Sequence, residues 1–68
     1  MKKFAVMLTN ANTEMVLAFC ETKEEGIETG QKLRKVISTE CGLINLISSE
    51  FDENGNMTSN VYKFYGGW

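Results

Sequence analysis

The sequence predicts an α+β domain of order β-β-α-β-β, in which four antiparallel strands carry one helix on one face. Three observations predict it: alternating apolar residues on both sides of Asn10–Thr13, a capped amphipathic stretch between Thr22 and Gly42, and Asn54-Gly55 set between two further alternating runs.

In the first strand Phe4, Val6 and Leu8 fall on one side of an extended chain, and Ala5 and Met7 on the other. The polar cluster Asn10-Ala11-Asn12-Thr13 reads as a turn. Glu14 to Glu21 then resumes with Met15, Leu17 and Phe19 on one side and Val16, Ala18 and Cys20 on the other. A two-residue loop sets Leu8 opposite Met15, Val6 opposite Leu17 and Phe4 opposite Phe19, which gathers the large side chains on one face. A slip of one residue would scatter them over both.

Thr22 and Glu25 form the Thr-x-x-Glu capping box that opens a helix expected over Lys23 to Cys41. Ile27, Leu33, Val36, Ile37 and Cys41 recur at helical spacing, acids lead (Glu24, Glu25), bases follow (Lys32, Arg34, Lys35), and Gly42 is the expected stop. Gly26 and Gly30 lie within the apolar stripe although each costs roughly 1 kcal/mol relative to Ala. They are expected to be notches that admit bulky sheet side chains such as Phe4 or Phe19; the alternative is a Gly-x-x-x-Gly contact with another helix.

Leu43 to Asp52 and Met57 to Tyr65 read as the third and fourth strands around the Asn54-Gly55 turn. That turn pairs Asp52 with Met57, Ile47 with Tyr62 and Asn45 with Phe64, placing Leu43, Ile47, Phe51, Tyr62 and Phe64 on the core face. Strand order 2-1-3-4 or 1-2-4-3 satisfies the alternating directions.

At 68 residues the chain is long enough for a single core, and with 43% hydrophobic residues and no proline it is not a disordered composition. A net charge of −2 gives no general attraction to phosphate backbones or anionic lipid. No apolar run approaches the roughly 20 residues of a bilayer span, and Phe4 to Leu8 is too short to follow Met1-Lys2-Lys3 as a signal peptide. A cytoplasmic location is expected. Cys20 and Cys41, placed at opposite ends of the helix, are too far apart for a bridge that needs Cα atoms within about 7 Å, so both are expected to be reduced.

The absence of histidine removes the usual general base and the commonest zinc ligand. Glu24, Glu25 and Glu28 sit on a solvated helix turn and Asp52-Glu53 on a hairpin tip, where nothing isolates a catalytic pair. Asp52-Glu53-Asn54-Gly55-Asn56 lacks the spacing and the flanking helices of an EF-hand loop. Cys20, just ahead of the helix N-terminus, is the weak candidate nucleophile, with no basic residue beside it in sequence. No enzyme, cofactor or metal is therefore expected.

The functional expectation rests on area. One helix shelters one face of a sheet, which leaves Ala5, Met7, Val16, Ala18, Cys20, Ile44, Leu46, Val61 and Tyr65 on the other. A face of that extent marks an interface, and the chain is expected to be a small intracellular protein-interaction module, an adaptor, regulator or inhibitor, self-associating as a homodimer through that face or a strand edge. Trp68, on its Gly66-Gly67 hinge, is the alternative cover for a monomer. The competing function is nucleic-acid binding by Tyr62, Phe64, Tyr65, Trp68 and Lys63, with Lys2, Lys3, Lys32, Arg34 and Lys35 as a basic patch.

Overall fold

The computed structural model describes residues 3–68; Lys2, one of the expected basic residues, lies outside them. Strands β1 (Phe4–Thr9) and β2 (Glu14–Cys20) precede helix α1 (Lys23–Val36), a 3₁₀ turn (Thr39–Cys41), and strands β3 (Leu43–Ser48) and β4 (Lys63–Gly67). All pairings are antiparallel and the order is β2-β1-β3-β4, so the sheet takes the first of the two orders the sequence allows.

The first turn closes as expected: the Asn10 N–H donates to Thr13 O at 2.9 Å, and Asn10 Oδ1 accepts from the amides of Asn12 and Thr13. Leu8 faces Met15, but beyond Met7–Val16 the register shifts, so that Val6 faces Ala18, Ala5 faces Phe19 and Phe4 faces Cys20. Leu17 is the extra residue of a β-bulge. The expected Val6–Leu17 and Phe4–Phe19 pairs are corrected accordingly, and Ala18 and Cys20 turn toward the helix while Phe19 turns away from it.

Thr22 caps α1, its hydroxyl accepting the Glu25 N–H at 3.2 Å. The helix stops at Val36, short of the expected Cys41, because Ile37 is extended and Ser38 caps the separate 3₁₀ turn. Arg34 holds this corner: its guanidinium donates to the carbonyls of Ile37 (2.7 Å), Gly42 (2.9 Å) and Trp68 (2.9 Å). Both helix glycines are notches, with different occupants from those expected. A Cβ on Gly26 would lie 2.5 Å from Leu46 Cδ1, and one on Gly30 would lie 2.6 Å from Trp68 Cζ3.

Apolar packing forms on both sides of the sheet. Under α1 lie Val6, Leu8, Cys20, Ile44 and Leu46, flanked by Phe4, Ile27, Leu33, Ile37, Tyr65 and Trp68. On the other side Ala5, Ile47 and Phe51 pack with Met7, Val16 and Phe19. Phe51 and the turn at Gly55, in the connection between β3 and β4, supply that second cover. The chain leaves the sheet after Ser48, turns around Asp52–Asn56 with a Phe51–Met57 bridge, and returns at Lys63. The long second hairpin is corrected as a result: Ile47 opposes Phe64 rather than Tyr62, Asn45 opposes Gly67 rather than Phe64, and Phe51 rather than Asp52 opposes Met57. Phe51 packs edge-on against Phe19, ring centroids 5.1 Å apart, and Gly55, with φ +83°, comes down beside the same ring.

Candidate interaction surface

The face on which the interaction reading rested is not open. Ala5, Cys20, Ile44 and Leu46 are buried, Met7, Val16, Ala18 and Tyr65 are half-buried, and Val61 alone of the expected interface residues is exposed. Two causes account for this. The bulge at Leu17 rotates Ala18 and Cys20 under the helix. The β1–β3 register sets Ile44 beside Leu8 and Leu46 beside Val6, so both share the helix side rather than the far one. Ala5, Met7 and Val16 do lie on the far side, in the cluster built around Ile47 and Phe51. Trp68 is half-buried on the helix side and covers nothing on the far face.

The expected nucleic-acid cluster is dispersed. Arg34 donates to backbone carbonyls, Lys32 pairs with Glu28 at 3.0 Å, and Tyr65 packs against Phe4 within the helix-side core. At the hairpin tip, Asp52 Oδ1 accepts the amides of Asn54 and Asn56, each at 2.9 Å, which is turn geometry. Among the described residues no group of three or more His, Cys, Asp or Glu could hold a metal ion. Both cysteines are free thiols; Cys20 is buried, 3.8 Å from the Thr29 hydroxyl, and Cys41 is exposed.

The sheet's β4 edge and the segment leading into it present a different surface. Val61, Tyr62 and Phe64 are 78%, 60% and 57% exposed, although a strand-four core position was expected for both aromatics. Val61 and Tyr62 border an open cleft of about 360 Å³ at the start of β4, lined also by Lys3, Phe4, Ser48, Ser49 and Lys63. Two lysines line this cleft and no carboxylate does.

Backbone geometry makes the β4 edge available. The Ser49 N–H donates to Lys3 O, so alternation along the regular β1–β3 ladder turns the backbone groups of Ile47 toward β1 and those of Ser48 toward β4. Past the register shift between Asn45 and Ile47, Ser48–Lys63 is then a bonded pair and Ile47–Phe64 a non-bonded one. The N–H and C=O of Phe64 therefore point out of the sheet. Lys63 and Phe64 lie on opposite faces of this strand. Phe64 is opposite Ile47 on the far side, whereas Lys63 lies on the helix side with its ammonium 5.3 Å from the Tyr65 ring centroid. Lys23, from the first turn of α1, lies 5.1 Å from the same ring. An exposed aromatic on one side and two ammonium groups on the other thus flank one unpaired backbone edge.

The sequence names Lys63, Tyr62 and Phe64 but not their exposure. The available signal was Gly66-Gly67, which has no side chains with which to pack and so weakens the end of a core strand. No protein-family model, curated protein or solved structure matches the chain.

Proposed function

We propose that the protein is an interaction module that acts by occupancy, and that β4 with the approach segment Val61-Tyr62 is its docking element. The observation that carries this reading is the coincidence of an unpaired strand edge with three large exposed apolar side chains on and just ahead of it, Val61, Tyr62 and Phe64. Such an edge is a template for another strand, and apolar neighbours raise the gain from covering it. An intracellular setting agrees with two free thiols; among the described residues no helix is long and apolar enough to cross a membrane.

The burial of Ala5, Cys20, Ile44 and Leu46 argues against self-association through the sheet face. Capture from a native lysate tests the module reading: partners held by the wild type are expected to be lost with Tyr62→Ser/Phe64→Ser at unchanged melting temperature. Equal capture by both forms would refute the reading. Nucleic acid is the second reading, favoured by Lys3 and Lys63 beside exposed Tyr62. It requires affinity for a single strand that falls steeply with salt.

A further inference from the structure

We propose that the occupant of the β4 edge is an extended segment of a partner protein in which acidic and apolar residues alternate. This rests on the reading of β4 as the docking element and adds the chemistry of the strand it receives. The outward N–H and C=O of Phe64 fix the mode, because an added strand satisfies both without disturbing the existing ladder.

The two sides of β4 fix the pattern. A strand laid along the edge alternates its side chains, so every second residue falls on the side of Lys63 and Lys23 and the others on the side of Phe64. Carboxylates suit the first set and apolar groups the second. The cleft at the entry to β4 extends the same preference, with Lys3 and Lys63 in its wall and no acid.

Charge also selects against a second copy of this chain. Pairing β4 with its own twin about Phe64 would bring two Lys63 and two Lys23 ammonium groups to one side of the new interface with no carboxylate on β4 to answer them. A lysine on an edge strand is a common guard against self-pairing. Toward an acidic strand the same lysine is an attraction.

The test uses the whole chain and labelled decapeptides alternating glutamate with valine or lysine with valine, read by fluorescence anisotropy at low salt and by amide exchange at Phe64. The glutamate peptide is expected to bind, to slow exchange of the Phe64 amide, and to lose about tenfold in affinity with Lys63→Glu. Phe64→Pro removes an N–H that serves no internal bond and is expected to abolish binding. Circular dichroism checks that both variants fold, and Lys63→Glu carries the test if the proline variant does not. Protection of Phe64 by the lysine peptide or by a second copy overturns the acidic-strand inference and leaves edge docking standing. Protection by none of these, or by oligothymidylate alone, overturns both.

Discussion

The two faces of the sheet are covered by different means. On one side a capped helix lies over Val6, Ile44 and Leu46, all fully buried, with glycine notches that bring its backbone onto Leu46 and Trp68. On the other side an irregular connection, residues 49–62, is held down by Phe51, 3% exposed, and by the turn at Asp52. Regular structure satisfies its own backbone and can cover a face with many side chains at once. An irregular cover depends on a few anchors and opens more readily. The β4 edge emerges where that connection rejoins the sheet, and Val61 and Tyr62, just ahead of it, are left exposed.

The largest effect is expected on the helix side. Leu46→Ala removes a side chain wedged against Gly26 and should cost about 4 kcal/mol. A core this small rarely supplies more than about 3–5 kcal/mol in total, so the variant is expected to be mostly unfolded at 25 °C by circular dichroism. Survival of a cooperative transition with a loss below about 1 kcal/mol would mean that the helix contributes less than its packing implies.

Phe51→Ala is next, at about 3 kcal/mol, near the low end for a buried phenylalanine because residues 49–62 can relax into the space. Its signature separates the faces. Amides of Asp52 and Thr58, which bond within the connection, should exchange by local opening, while those of β1 and β3 exchange only on global unfolding. Uniform acceleration in both regions would show the two covers to be one cooperative unit.

The legible part of the fold is where polar and apolar residues contrast. Asn10, Thr22 and the alternation of Phe4, Val6 and Leu8 each specify one local geometry, and together they place the first hairpin's turn, the helix start and the strand order to within two choices. Met15 to Cys20 is apolar at every position, so its alternation carries no information on facing, and a bulge at Leu17 leaves no trace in it. Leu43 to Ile47 has the same defect, broken only by Asn45. Ile37 continues the helical spacing after the chain has left the helix, because an apolar residue is needed there in either conformation. The surface followed from these errors: Phe51 is a core residue as expected, but once residues 49–62 are read as strand and Tyr62 and Phe64 as core, the irregular cover and the exposed edge both vanish from view.

Arg34→Met sharpens the account of how the helix side closes. Methionine preserves much of the aliphatic bulk but leaves Ile37 and Gly42 without the guanidinium, while Trp68 O keeps its bond from Ile44 N–H at 3.1 Å. The expected loss is about 2 kcal/mol, because hydrogen bonds from a charged donor to partly buried acceptors exceed the usual value. Tryptophan fluorescence should show Trp68 more exposed to quencher. An unchanged spectrum with the full stability loss would place the role of Arg34 in the 37–42 corner alone.

Asp52 is the smallest and the most discriminating test of the irregular cover. Its Oδ1 accepts from Asn54 and Asn56, both on the exposed side of the turn, so Asp52→Ala should cost about 1 kcal/mol. Asp52→Asn keeps an acceptor at the same place and should cost about half as much or less. If the turn is a separate anchor from Phe51, the alanine effect adds to that of Phe51→Ala within about 0.5 kcal/mol. If instead the cover is already open in Phe51→Ala, the second substitution costs nothing further, because a turn that no longer packs on Phe19 has no geometry left to lose.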